Sequence, residues 1–256
     1  MRAMERIESR RVFFLYPHSV FQEHLLDVLV QAEFEVAVVR DHSRIPALLA
    51  RFPGSILFIN IEQQLANGET WEEFVRSLRE RSELQSIRIG ILAYNPDPER
   101  SKHFIADLGV ECGFITLKLG IKQSAAILLK SLAVNEARGR RKYVRATCPP
   151  EKARINIRRL GSTTEGHIRD ISSAGFAAQL DSTVEKNELC DDIQLNLWGS
   201  RLTVGARMYG TRKLETGQLL HIFMFEPELY GQTRYKVHQF IKRVIQAEVD
   251  EIVQTK

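Results

Sequence analysis

Cysteine is scarce in this chain, and the little there is excludes two classes of protein at once. Cys112, Cys148 and Cys190 stand far apart with no CxxC spacing. An odd, scattered set of three builds neither a disulfide framework nor a thiolate metal site, and it points to a reducing cytoplasm. Long apolar runs are missing too. Beyond the basic N-terminal residues Arg2, Arg6, Arg10 and Arg11, the apolar stretch 12–16 is too short for a signal-peptide core. No stretch reaches the roughly 20 apolar residues that cross a bilayer, so membrane insertion is not expected. Neither sign of charge dominates: 36 basic against 32 acidic residues leave +4, which admits an anionic partner without identifying one. His18, His24, His42, His103, His167, His221 and His238 show no metal-ligand spacing. Walker A, GxGxxG, GxSxG and HExxH motifs are absent, and no enzyme activity, metal or cofactor is expected.

What is present is enough apolar material, 44% of 256 residues, for two modest cores. In the first half, short apolar runs at 12–16, 34–40, 55–61, 87–94 and 112–118 alternate with stretches whose apolar residues recur at helical spacing, at 20–32, 45–52, 71–81, 99–108 and 121–133. Five such βα units predict a flavodoxin-like, doubly wound α/β domain over residues 1–134. The composition then shifts. Arg138, Arg140, Arg141, Lys142 and Arg145 crowd a segment that holds Gly139 and closes on Pro149 and Pro150, so residues 135–150 read as a basic interdomain linker. Beyond it the period becomes two, with strands expected at 153–159, 164–171, 175–180, 193–197, 202–209 and 218–225, and with Gly161, Gly199 and Gly217 in the turns. That pattern predicts a six-stranded antiparallel barrel or sandwich within a second domain, 151–256, which ends in a helix over 229–253. Val237, Phe240, Ile241, Val244, Ile245 and Ile252 make one apolar stripe on that helix. A small barrel cannot cover all of it, so its last turns are expected on the first domain or on a second copy.

Two short motifs sit at the start of the second half. Arg141 and Arg145 form RxxxR, and Asp170, Ser172 and Gly175 form DxSxxG at a strand-to-strand turn. Their order and separation, ahead of a six-stranded barrel with a helix after its last strand, resemble the PilZ family over roughly residues 138–251. The resemblance implies a PilZ β-barrel that binds cyclic di-GMP. The chemistry agrees with that implication, because a guanidinium fork bonds phosphate or guanine O6 and N7 bidentately and stacks on a base. Asp170 would accept from the guanine N1–H and N2–H₂ donors, Ser172 offers a hydroxyl, and Gly175 lets the backbone come close to the ligand. Arg140, at the position before RxxxR, resembles family members that take a stacked pair of ligands, so two molecules per protomer are expected.

The first domain resembles a two-component receiver in layout, with the chemistry gone. A receiver places an acidic pair after its first strand, an Asp at the end of its third, Ser or Thr after its fourth and Lys after its fifth. Here Tyr16-Pro17-His18 follows the first strand, Asn60 ends the third, Ala93 ends the fourth, and only Lys118 remains, about one residue out of register. An amide forms no acyl phosphate, and a hard Mg²⁺ ion lacks its anionic ligands, so phosphorylation is not expected. Glu62, two residues beyond Asn60, does not restore the acidic pair.

These readings make the chain a cyclic di-GMP receptor or adaptor whose like-charged Arg140, Arg141 and Arg145 close over the ligand, change the interdomain arrangement and signal to a protein partner. The alternative is a cyclic di-GMP-responsive regulator that binds nucleic acid through the same basic segment, although no helix-turn-helix, zinc-finger or RNA-binding signature occurs.

Overall fold

The structure is a computed structural model that describes residues 10–65, 68–95, 97–117, 120–138, 141–159 and 161–254. By contacts the chain divides into two units, one of Met1–Lys142 with Ile245–Lys256 and one of Tyr143–Val244.

The first unit carries a parallel sheet of β1 (Val12–Leu15), β2 (Val36–Val39), β3 (Ile56–Asn60), β4 (Arg88–Ala93) and β5 (Phe114–Thr116), in the order β2-β1-β3-β4-β5. Helices α1 (Ser19–Gln31), α2 (Ile45–Arg51), α3 (Trp71–Arg79), α4 (Pro98–Lys102) and α5 (Ile121–Val134) alternate with the strands. This is the flavodoxin-like order that the alternating pattern predicts. Every residue of β1, β2 and β3 is buried, which is why these strands read as unbroken apolar runs: helices cover both faces. Val12, Phe14, Val36, Val38, Ile56 and Phe58 pack on one face, against apolar residues of α1 and α5. α3 begins in a capping box, Thr70 Oγ1 accepting from Glu73 N at 3.2 Å while Glu73 Oε2 accepts from Thr70 N at 2.8 Å. The single helix expected over 99–108 is instead α4 followed by a π-helical turn, His103–Asp107, a widening that seats Phe104 in the core and leaves Ile105 exposed. β2 is an edge strand, and the amide of Gln246 closes part of that edge. It accepts from Val38 N at 2.8 Å and donates to Val38 O at 2.9 Å, satisfying both backbone groups of one residue.

The second unit is built from β6 (Arg145–Thr147), β7 (Ala153–Arg159), β8 (Ser162–Ser172), β9 (Gly175–Leu180), β10 (Leu189–Leu197), β11 (Ser200–Lys213) and β12 (Leu219–Phe225). Six of these, β8-β7-β10-β11-β12-β9, close on themselves through the β8–β9 pairing and make an antiparallel barrel. Closure leaves the barrel without an open edge. Inward Ala153, Ile155, Ile157, Ile168, Phe176, Ala178, Ile193, Leu195 and Phe223 are buried, and along β7 and β10 they alternate with polar outward neighbours. α6 (Gly231–Gln254) follows, and Val237, Phe240 and Ile241 of its first turns are buried. On its later turns Val249 is buried where Ile252 was expected, and Ile252 is partly exposed.

The seventh strand, β6, is a departure from expectation. Residues 145–147 fall in the segment read as linker, yet they pair antiparallel with the end of β8. The connection between β6 and β7 holds Pro149 and Pro150. A three-residue strand gives too short a period to detect, and its own alternation, exposed-buried-exposed, is hidden inside a basic run.

Candidate nucleotide-binding site

β6 and β8 place Arg145 directly opposite Ser172, Ala146 opposite Ile171 and Thr147 opposite Asp170. Cross-strand partners share a face of the sheet. Ala146 and Ile171 are buried and face inward, so Arg145, Thr147 and Asp170 belong to the outer face, while Ser172 at the end of β8 is itself buried. On that face Arg145 Nη1 lies 3.9 Å from Asp170 Oδ1, with the two side chains 57% and 28% exposed. The pairing runs one bond further, Cys148 N donating to Arg169 O at 2.8 Å. Strand pairing thus brings the second arginine of RxxxR and the acid of DxSxxG together from 25 residues apart in sequence.

The remaining motif residues have more local duties. Ser172 is buried in the turn between β8 and β9. Its Oγ donates to Gly175 O at 3.2 Å and accepts from Ala174 N at 3.3 Å. Gly175 is required by the barrel itself: a Cβ there would stand 2.1 Å from Phe223 O, the backbone of neighbouring β12. Arg141 is exposed. Arg140 lies outside the described residues, as does Gly139. Met224, paired across the sheet with Gly175 and 44% exposed, adds an apolar surface beside the turn that the sequence reading did not single out. Its signal was available, since Phe223 and Phe225 on either side are buried and a strand alternates.

Solved structures similar to this chain are of two kinds. One is the PilZ domain with c-di-GMP of YcgR from Escherichia coli, 17% identical, covering 46% of this chain and 99% of that one at a TM-score of 0.36. Another is the chemotaxis response regulator CheY4 of Vibrio cholerae, 21% identical, covering 50% of this chain and 98% of that one at 0.40. MrkH of K. pneumonia is 14% identical, with 39% of this chain and 47% of that one covered at 0.33. No family model and no curated protein matches.

In the receiver-like unit, the carboxyl end of the sheet is filled rather than open. Asn60 is buried. Its Nδ2 donates to Tyr16 O at 2.8 Å and its Oδ1 accepts from Glu62 N at 3.2 Å. Glu62 Oε1 in turn accepts from Tyr94 N at 2.9 Å, and Tyr16 Oη lies 3.0 Å from His42 Nδ1. Trp71 packs edge-on against both Tyr16 and Phe74. Lys118 lies outside the described residues. Among the described residues no group of three or more His, Cys, Asp or Glu side chains is placed to hold a metal ion. All three cysteines are buried thiols. Burial pushes Cys112 and Cys148 up to about 12 and Cys190 up to about 11, which keeps them protonated and unreactive. Among the described residues no helix is long and apolar enough to cross a membrane.

Proposed function

We propose that this protein is a cyclic di-GMP receptor without enzymatic activity, in which Arg140, Arg141, Arg145, Asp170, Ser172 and Gly175 form the ligand site and two ligand molecules bind per protomer. The observation that supports this most directly is the β6–β8 register, which sets Arg145 beside Asp170 on the outer barrel face. A guanidinium and a carboxylate side by side suit a ligand that carries both phosphate charges and guanine donors. Asp170 holds Arg145 in place before the ligand arrives, and a ligand phosphate would compete for the same guanidinium. The buried hydroxyl of Ser172 serves the ligand indirectly, by closing the turn that positions Asp170.

Closing Arg140 and Arg141 over the bound nucleotide against the Arg145–Asp170 pair changes the arrangement of the two units, and a protein partner reads that change. Calorimetry on the full chain tests the site. Cyclic di-GMP should bind at micromolar affinity or better with a stoichiometry near two. Arg141→Ala and Arg145→Ala should each weaken binding by about tenfold to a hundredfold, the loss of one charge-assisted contact. Absence of wild-type binding at 100 μM ligand (about 5 kcal/mol) would overturn the reading. Binding of a DNA fragment only in the presence of ligand would turn it toward a nucleic-acid regulator.

A further inference from the structure

A cleft of about 830 Å³ lies on the barrel away from the Arg145–Asp170 pair, lined by β7, β8, β9, β10 and β11. Two cross-strand rows of side chains define it. In one, Arg201, Asn196, Arg154, His167 and Gln179 stand in direct register across five successive strands. In the other, Thr203, Gln194, Asn156 and Glu165 do the same. Residues two apart on a strand share a face, so both rows project to the same outer side, while Ile155 and Leu195 between them turn inward to the barrel core.

The hydrogen-bonding state of these groups says what the cleft can take. Arg154 and Arg201 are exposed and have no ion-pair or hydrogen-bond partner among the described residues. They sit two strands apart, about 10 Å at ordinary strand spacing. Asn196, between them, accepts from Gly199 N through Oδ1 at 3.0 Å and keeps its NH₂ as a donor. Asn156 Oδ1 is buried with no donor, an unmet acceptor inside the cleft. His167 Nδ1 lies 2.9 Å from Pro150 O, and because a carbonyl only accepts, the ring donates there and leaves Nε2 for another partner. At the opposite end stand the exposed carboxylates of Glu165 and Asp181.

A ligand matched to this set carries anionic groups for two separated arginines and hydroxyls that both donate and accept. The acidic end repels a dense polyanion but accepts from hydroxyls. Among the described residues no Phe, Tyr or Trp lines the cleft, and its one aromatic ring is the His167 imidazole, already held by Pro150 O. A polyphosphate has no donor for Asn156. We infer that this face of the barrel binds an acidic oligosaccharide, a linear sugar chain bearing carboxylates, with Arg154 and Arg201 on the carboxylates, Asn156 accepting from a hydroxyl, and Glu165 and Asp181 receiving further hydroxyls. The amide-rich lining and the cleft's open form suit weak, extended recognition.

The test titrates the full chain with an oligogalacturonate hexamer, and in parallel with cellohexaose, a single-stranded DNA decamer and inorganic polyphosphate. Saturable binding of the hexauronate is expected, weakened about tenfold by Arg154→Ala or Arg201→Ala and also by Asn156→Ala. Arg145→Ala should leave it unchanged, which separates this site from the nucleotide site. Circular dichroism confirms that each variant is folded. No saturation at about 10 mM hexauronate, a free energy near 3 kcal/mol, would overturn the inference. So would equal binding of cellohexaose, or tighter binding of DNA or polyphosphate through the same two arginines.

Discussion

At Gly175 the barrel by itself already requires glycine. A methyl group 2.1 Å from Phe223 O cannot be relieved by a rotamer change, because the neighbour is backbone in a paired strand. Gly175→Ala is therefore expected to destabilise the unliganded protein by about 1–3 kcal/mol or more, seen as a lower thermal midpoint without ligand. An unchanged midpoint with lost cyclic di-GMP binding would instead return the residue to the ligand. His221 makes a second prediction. It is buried in β12 opposite Ala178, and burial lowers its pKa below the usual 6.5, with the backbone of Ala178 opposing in part. Folding thus favours the neutral ring. Stability is intact above the unfolded pKa and falls as pH drops from about 6.5 toward the lower folded value, because the unfolded chain then binds the proton more readily. Thermal melts should show that decline, and His221→Leu should flatten it; a variant with the wild-type slope would assign the decline to other groups.

A linker carrying five basic residues invites the picture of a free tether that orders only around its ligand, yet Arg145–Thr147 is a strand and Cys148 bonds on to Arg169 O. The amides of Ala146 and Cys148, which bond across to β8, should therefore be protected from hydrogen exchange in the free protein. Exchange at the rate of an unstructured chain, slowed only by cyclic di-GMP, would show that the ligand makes the strand. The part of the predicted linker that carries Arg145 is thus a strand paired on the barrel.

Across the whole molecule, the first unit's sheet ends at Asn60 in a hydrogen-bonded cluster, Asn60 Nδ2 donating to Tyr16 O and Tyr16 Oη lying against His42 Nδ1. Incubation with acetyl phosphate and Mg²⁺ should add no acid-labile phosphate, as read by mass spectrometry; a phosphorylated peptide containing Glu62 would locate a site that Asn60 does not supply. In the same full chain, fluorescence transfer between probes on the two units should change on adding cyclic di-GMP and should not change in Arg141→Ala. Tight binding with no change in transfer would require signalling through the surface of the bound nucleotide itself.

Some of this was settled by the sequence alone. Apolar runs too regular to be anything but buried parallel strands, and a change of period from helical to two after the basic segment, specify an α/β unit followed by an antiparallel one, because burial on two faces and burial on one leave different periods. RxxxR and DxSxxG nominate Arg141, Arg145, Asp170, Ser172 and Gly175. What only the tertiary structure decided is which of these meet. That Arg145 comes diagonally beside Asp170 depends on a strand register, that Ser172 serves its own turn depends on a buried hydroxyl, and that Gly175 meets Phe223 depends on barrel closure. The row from Arg201 to Gln179 likewise exists only once five strands from distant parts of the chain are laid side by side, since pairing register is a property of neighbours in space and leaves no local periodicity to read.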